Sequence, residues 1–216
     1  MAKTKIAVLV SGRGSNLQAL IDAAKDDDYP AEIVLVVSNK ADAYGLERAR
    51  VAGIATAVVD HRDYENREAF EEALDTVIRD HGTRIVCLAG FMRILTPWFT
   101  ERWRDLLINI HPSLLPAFKG LHTHERALEA GVRIHGCSVH YVRPEMDDGP
   151  IIGQAAVPVL HGDTPDTLAQ RVLEAEHKLY PQCVALACSG KARVAGERVR
   201  LQVREFGADL LMNPHD

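Results

Sequence analysis

Short apolar runs alternate with segments of helical periodicity along most of this chain, and that alternation limits the folds it can adopt. The apolar runs predict buried strands at residues 6–10, 32–37, 55–59, 84–89 and 106–110. The segments between them predict helices at residues 15–25, 43–52, 66–81 and 97–103. Because a helix between two strands favours parallel pairing, we predict an α/β fold with a Rossmann-like, doubly wound and mostly parallel sheet and helices on both faces.

The second half of the chain departs from this pattern. Residues 123–130 and 165–188 predict helices, and residues 138–143 and 151–159 predict longer strands in which apolar and polar residues alternate. Residues 192–201, interrupted near Gly196, predict a terminal hairpin. We therefore expect antiparallel additions to the parallel sheet and a C-terminal hairpin.

Length and composition indicate an ordinary globular protein. The chain has 216 residues, 47% of them hydrophobic and 25% charged, so we expect a single domain over residues 1–216, with the last residues, about ten, disordered. The formal net charge of −5 provides no electrostatic footprint for nucleic acid. The N-terminal apolar run is too short for a signal peptide or a membrane span, and the four cysteines show no C-x-x-C pairing. We expect a cytoplasmic protein with reduced thiols and no membrane partner, either a monomer or a homodimer.

The first predicted strand ends in Ser-Gly-Arg-Gly-Ser-Asn, residues 11–16. Gly12 and Gly14 permit a tight turn, and the N-terminus of the following helix offers free N–H groups to an anion. The segment is not the dinucleotide fingerprint, whose third glycine position holds Leu17, and it is not a Walker loop. By itself it fits a phosphate-binding turn and an N-capped helix after a glycine turn equally well.

The fifth predicted strand runs into Asn109 and His111, and a loop stiffened by Pro112 and Pro116 follows. Residues two apart on a strand point the same way, so the Asn109 amide and the His111 imidazole converge. Such a pair suits a carbonyl oxygen that becomes an oxyanion. Alternatively, both side chains bind backbone groups at the strand end. A stiff neighbouring loop favours the catalytic interpretation, because it lowers the entropy lost in holding a site.

Carboxylates occur at two informative places. Asp147 and Asp148 precede a Gly-Pro turn, where solvated acids are common. Glu176 lies on the apolar face of the predicted helix 165–188. The other members of that face are Leu168, Val172, Leu179 and Cys183. A carboxylate on such a face needs a partner, either an arginine or the hydroxyl groups of a ligand.

Five histidines raise the question of a metal site: His111, His122, His124, His135 and His140. H-x-H spacing is weak evidence for a metal, and no cysteine or carboxylate lies nearby at ligand spacing. We therefore expect no metal.

Longer motifs carry a resemblance to a known family. Residues 109–120, Asn-Ile-His-Pro-Ser-Leu-Leu-Pro-Ala-Phe-Lys-Gly, resemble the Asn-x-His and Ser-Leu-Leu-Pro signature of the folate-dependent formyltransferases. Residues 11–23, 37–49 and 88–95 resemble one branch of that family, the glycinamide ribonucleotide (GAR) transformylases. The resemblance runs from about residue 4 to residue 203.

The resemblance implies an enzyme of purine synthesis that transfers the formyl group of 10-formyltetrahydrofolate to the glycyl amine of GAR, without a metal. It implies a catalytic trio of Asn109, His111 and Asp147. It implies GAR binding by Gly12, Gly14, Ser15, Asn16 and Glu176. It implies folate binding by Arg67, Met92, Arg93, Ile94, Leu95, Val142, Arg143 and Asp147, with residues 143–148 closing over the pterin. One residue departs from the family pattern, because many members have glycine where this chain has Asp148.

Two related enzymes and one non-enzymatic class are the alternatives. A formyltetrahydrofolate hydrolase delivers the formyl group to water and does not need the glycine turn, and its extra N-terminal domain is not expected here. A methionyl-tRNA formyltransferase adds a C-terminal tRNA-binding domain, which this sequence does not predict. A non-catalytic ligand-binding module would explain the glycine turn but not Asn109, His111 and Asp147 together.

Overall fold

The structure is a computed structural model that describes residues 2–202, and a seven-stranded sheet forms its centre. Five strands pair in parallel: β1 Thr4–Val10, β2 Ala31–Ser38, β3 Ala55–Val58, β4 Ile85–Leu88 and β5 Leu107–His111. Two further strands, β6 Ile134–Tyr141 and β7 Ile151–Pro158, add to the sheet in antiparallel pairing. The strand order across the sheet is β3-β2-β1-β4-β5-β6-β7.

Helices connect the strands and cover both faces of the sheet. They are α1 Ser15–Ala24, α2 Tyr44–Val51, α3 Arg67–Asp80, α4 Pro97–Arg102, α5 Thr123–Glu129 and α6 Pro165–Cys188, with a short 3-10 helix at His61–Asp63. The strands β8 Ala192–Ala195 and β9 Arg198–Leu201 form a separate antiparallel hairpin. The predicted α/β class, the mostly parallel sheet with antiparallel additions and the C-terminal hairpin are confirmed.

One predicted strand was wrong at both ends. The sequence indicated residues 138–143, whereas β6 is Ile134–Tyr141. Its first residues, from Ile134 to Cys137, pair with Ala155 to Pro158 of β7, so long-range pairing rather than local pattern sets where the strand begins. The predicted disorder of the last residues falls outside the described range. Within residues 2–202, no helix combines the length and the apolar character needed to cross a bilayer.

Alternate residues of β1 enter two different cores. Ile6, Val8 and Val10 pack with α1, α2, α5 and α6 on one face of the sheet. Ala7 and Leu9 pack with α3 and α4 on the other face. This follows from the two-residue period of a strand, and it explains why the predicted central strands are apolar without interruption.

The order of the strands creates a crevice at the carboxyl ends of β1 and β4. The chain proceeds from β1 to β2 on one side of β1, and later returns to β4 on its other side. Helices therefore leave the sheet in opposite directions at the carboxyl ends of β1 and β4, which opens a crevice there. Ser11 follows β1, and His111 ends β5 next to β4, so both predicted motifs lie at this edge.

Tyr180 of α6 ties this helix to the centre of the sheet. Its side chain is fully buried, and its hydroxyl donates to the Leu88 carbonyl at 2.8 Å and lies 3.3 Å from the Ile108 carbonyl. We expect Tyr180→Phe to lower the free energy of unfolding by about 1–2 kcal/mol, because a buried hydrogen bond is lost without a change in ring packing. Urea denaturation measures this.

Tyr29→Phe is the matched control for that variant. The Tyr29 hydroxyl donates to the Pro181 carbonyl at 2.8 Å but is only partly buried, so its loss should be smaller. An equal or larger loss in Tyr29→Phe would contradict the importance of the Tyr180 bond to the sheet.

Candidate active site

A cavity of about 900 Å³ opens at the carboxyl ends of β1, β4 and β5. Glu176 reaches it from α6 on one face of the sheet, and Arg67 reaches it from α3 on the other. Most of the residues predicted for the site line this one cavity: Asn16, Arg67, Met92, Arg93, Ile94, Leu95, Asn109, His111, Val142, Arg143, Asp147 and Glu176. The tertiary structure thus brings together side chains from all parts of the first 180 residues.

Asn109 is oriented by a histidine that the sequence did not single out for this purpose. Its Nδ2 lies 3.3 Å from Nε2 of His140, the residue opposite it on β6. Burial lowers the pKa of His140, and its Nδ1 lies 3.0 Å from the Tyr141 carbonyl oxygen. The neutral ring therefore donates through Nδ1 and accepts from the Asn109 amide through Nε2. Only the cross-strand register reveals this partner.

His111 is buried between two oxygen acceptors. Its Nδ1 lies 3.4 Å from Oδ2 of Asp147, and its Nε2 lies 3.1 Å from the Phe118 carbonyl. A doubly protonated imidazole ring can satisfy both acceptors at once. Asp147, which the family resemblance grouped with His111, therefore lies beside it.

Asp147 occupies a strained backbone position that neighbouring groups hold in place. Its φ is 52°, in the left-handed region that non-glycine residues rarely adopt. Its Oδ2 accepts from the Gly120 N–H at 2.8 Å, which links the loop after β6 to the loop after β5. A Cβ at Gly149 would lie 1.7 Å from the Tyr141 carbonyl, so only glycine fits the turn that follows.

Asp148 pairs with a lysine rather than with His111. Its carboxylate is half-exposed and forms an ion pair with Lys119 on the neighbouring loop. Asp148 therefore joins the two loops at their surface, and Asp147 is the carboxylate next to the imidazole.

Glu176 has a partner that the sequence did not predict. The expectation was an arginine or the hydroxyl groups of a ligand, but Oε2 of Glu176 accepts from the Asn16 amide at 2.7 Å. The side chain is buried, and burial raises the pKa of its carboxyl above the usual value although the Asn16 bond opposes this. Asn16 Oδ1 is buried and has no hydrogen-bond partner, so the pair keeps an acceptor available at the cavity.

The glycine turn before α1 is packed against α2. Gly14 has a φ of 68°, and a Cβ there would lie 2.7 Å from Cα of Gly45. The Gly45 N–H donates to the Gly12 carbonyl at 2.9 Å, and Nε of Arg48 donates to the Arg13 carbonyl at 2.8 Å. The turn thus requires glycine at position 14 for both backbone conformation and space. Gly12, Gly14 and Ser15 are next to the cavity wall formed by Asn16 rather than part of the wall itself.

The residues predicted to bind folate divide into two groups. Residues 91–96, which we call the rim segment, connect β4 to α4 and present Met92 and Ile94 to solvent at the cavity mouth. Arg143 lines the opposite wall, but its Nη2 donates to Asp105 at 2.7 Å and its Nε lies 3.5 Å from Glu197. The Arg143 guanidinium is thus occupied by acidic groups of the protein.

The histidines do not form a metal site within the described residues, where no group of three His, Cys, Asp or Glu side chains is arranged to hold an ion. His124 and His135 instead pack edge to face, with ring centroids 5.4 Å apart. Burial lowers the pKa of His135 to about 4, so this ring is neutral at ordinary pH.

Comparison with known proteins identifies the family of this chain. The family model for formyl transferase matches residues 4–184. The chain belongs to the formyl transferase family. The solved structure of glycinamide ribonucleotide transformylase 1 from Symbiobacterium toebii matches this formyl transferase with a TM-score of 0.90 and 46% identity, over 92% of this chain and 94% of the other.

Two curated relatives of this formyl transferase differ in their length. Phosphoribosylglycinamide formyltransferase from Escherichia coli (strain K12) is 49% identical over 189 residues, which are 88% of this chain and 89% of that protein. The trifunctional purine biosynthetic protein adenosine-3 from Bos taurus is 52% identical over 199 residues, 92% of this chain. This chain covers only 20% of the length of the trifunctional relative.

The buried Glu176 carboxyl predicts a pH-dependent loss of stability. In the unfolded chain it ionises near its usual pKa of 4.5, but burial raises the pKa in the folded state. Between the unfolded and the folded pKa, the folded protein therefore binds more protons than the unfolded chain. The free energy of unfolding falls as the pH rises through that range. Glu176→Gln keeps an acceptor for Asn16 without ionising, so we expect it to be more stable than the native protein at neutral pH and similar below about pH 4. Chemical denaturation across that range measures the difference.

Asp163→Asn is the control, because the pKa of this carboxyl is shifted in the opposite direction. The Arg171 guanidinium, bound to both Asp163 oxygens, lowers the pKa of that carboxyl, so ionisation stabilises the folded state. This variant should lose stability at neutral pH and converge with the native protein in acid. A stability gain in Glu176→Gln that did not vary with pH would contradict the proposed cause.

Proposed function

We propose that this member of the formyl transferase family transfers the formyl group of 10-formyltetrahydrofolate to the glycyl amine of GAR. The products are formyl-GAR and tetrahydrofolate, an early step of purine biosynthesis. The observation that carries the proposal is the convergence of Asn109, His111 and Asp147 in one cavity. That cavity spans the sheet edge from α6 to α3, which leaves room for two substrates to meet at the trio.

In the proposed complex, GAR lies on the side of α1 and α6. The first N–H groups of a helix have no partner within the helix, so the turn from Gly14 to Asn16 offers donors to the phosphate. The Glu176 carboxylate, with Asn16 beside it, accepts hydrogen bonds from the ribose hydroxyl groups. A sugar diol explains why a carboxylate without a cation is kept at this buried position.

The formylfolate lies on the side of the rim segment. Backbone groups of Arg93, Ile94 and Leu95 contact the pterin, and Arg67 faces the acidic tail at the cavity mouth. The opposite wall is formed by Val142, Arg143, Pro144, Met146 and Asp147. Because the Arg143 guanidinium is bound to Asp105, we assign its contribution to its backbone and aliphatic stem.

The proposed reaction needs only these side chains. The glycyl nitrogen attacks the formyl carbon, and the formyl oxygen gains negative charge that Asn109 and His111 stabilise. Collapse of the tetrahedral intermediate breaks the bond from the formyl carbon to the folate nitrogen. Asp147 supports the charge of the imidazolium and helps to carry the proton from the attacking amine to that leaving nitrogen.

The proposal also covers partners and location. We propose that the partners are these two small molecules, with no nucleic acid and no membrane, in a cytoplasmic protein that is a monomer or a homodimer. The net charge of −5 and the four free cysteines support this assignment.

A spectroscopic assay of tetrahydrofolate release, run with and without GAR, tests the function. The proposal expects release that depends on GAR. Release that is independent of GAR would indicate a formyltetrahydrofolate hydrolase, and the absence of release would indicate a non-catalytic module.

We expect Asn109→Ala and His111→Ala each to lower turnover by about 10²–10³-fold, because each removes stabilisation of charge that exists only in the transition state. Binding of GAR should change little, since the contacts that we propose for GAR are made by residues 14–16 and Glu176 rather than by these two side chains. Turnover and GAR affinity are measured separately, by saturating kinetics and by calorimetry. Nearly native turnover in either variant would remove that residue from the proposed oxyanion site.

The adjacent acids provide a matched pair of variants. Asp147→Asn keeps the shape of the side chain but removes the charge beside His111, so we expect turnover to fall by about 10²–10⁴-fold. Asp148→Gly removes only the surface pair with Lys119 and should change turnover little. Saturating kinetics on both variants decide which acid is catalytic, and a larger loss in Asp148→Gly would reverse the assignment.

A further inference from the structure

The rim segment is placed at the cavity mouth without much help from its own central side chains. Met92 is 63% exposed and Ile94 is 64% exposed, so these two side chains contribute little packing. Phe91 and Leu95 are buried in the core formed with α3 and α4. The position of the backbone between them therefore depends on this packing and on the hydrogen bonds at the two ends of the segment.

The first end is held by Ser11, at the start of the glycine turn. The Met92 N–H donates to Ser11 Oγ at 2.8 Å, and the same hydroxyl donates to Asn39 Oδ1 at 2.6 Å. Ser11 also donates its own N–H to the Gly90 carbonyl at 3.1 Å. These bonds join the rim segment to the end of β1.

The second end is held by a buried carboxylate on α3. Glu71 is 0% exposed, and its Oε1 accepts from the Thr96 N–H at 2.8 Å. Its Oε2 accepts from the Thr96 hydroxyl. That hydroxyl in turn accepts from the Phe99 N–H at 3.4 Å and caps α4. Both Glu71 oxygens thus act on the last residue of the rim segment.

Burying an ionised carboxylate in this environment costs free energy, because the charge loses its hydration. Burial raises the pKa of Glu71 above its usual value, although both bonds from Thr96 oppose the shift. Asp75, one turn later on α3, already joins α3 to α4 through Nε of Arg102 at 2.6 Å and Nε1 of Trp103 at 3.0 Å. Attachment of the two helices therefore does not by itself account for Glu71.

We propose that Glu71 is a positioning residue for the folate substrate, which acts through Thr96 to hold the backbone of residues 93–95 at the height where it contacts the pterin. This inference rests on the function proposed above. Glu71 does not touch the substrate. Arg67, four residues earlier on the same helix, lines the cavity. In this proposal α3 therefore contacts the folate through Arg67 and positions the backbone of residues 93–95 through Glu71.

Direct binding of tetrahydrofolate, measured by calorimetry, tests this independently of turnover. We expect Glu71→Gln and Thr96→Val to weaken tetrahydrofolate binding by about tenfold. Glu71→Gln replaces the charged acceptor of the Thr96 hydroxyl with an NH2 group, and Thr96→Val removes that hydroxyl. Thr96→Ser keeps both donors and should bind within about twofold of the native protein. GAR affinity should stay within about twofold in all three variants, since GAR lies on the other side of the cavity.

Asp75→Asn is the matched control, a buried carboxylate of the same helix that contacts α4 beyond the rim segment. Whatever its effect on stability, it should leave tetrahydrofolate affinity unchanged. Equal weakening by Asp75→Asn, equal loss of both ligands, or unchanged tetrahydrofolate binding in both Glu71→Gln and Thr96→Val would each overturn the proposal. Failure of the native protein to bind tetrahydrofolate would instead overturn the proposed function.

Discussion

Parallel pairing of β1, β4 and β5 brings three carboxyl ends to one edge of the sheet, and the candidate site depends on that constraint. Since β4 lies between β1 and β5, the glycine turn, the rim segment and the Asn109–His111 pair become neighbours. Register matters as much as order, because a slip of one residue would turn both β5 side chains to the opposite face. Helices α3 and α6 then close the two sides of the edge.

Helices α3 and α6 carry three buried carboxylates, and each has a different set of hydrogen-bond donors. Asp75 is matched with a guanidinium and an indole N–H, as expected of a structural acid. Glu71 receives two donors from Thr96, and Glu176 receives one amide donor from Asn16. Of these three carboxylates, Glu176 has the fewest donors from the protein, and it is the one that lines the cavity. A buried carboxylate with few donors lowers the stability of the folded protein, but it leaves acceptor oxygens available to a ligand.

The loop that carries Asp147 shows how strain is maintained. The left-handed backbone of Asp147 is held by the Gly120 N–H and by the close fit of Gly149 against Tyr141. Two local contacts therefore act on one strained residue, which keeps its carboxylate beside His111. Asp148 adds a contact with Lys119 at the surface of this loop, and Asp147 remains the acid beside the imidazole.

Local chemistry was enough to predict the parallel sheet, the glycine turn and the shared direction of Asn109 and His111, because periodicity, backbone freedom and strand alternation all act over a few residues. The family resemblance added Asp147 and the folate-side residues. Tertiary structure alone decided the rest. Asn16 became the partner of Glu176 across 160 positions, and His140 became the partner of Asn109 across 31. The start of β6 likewise depended on its pairing with β7. Such partners are chosen by the order and register of strands and by helix packing, which no short stretch of sequence contains.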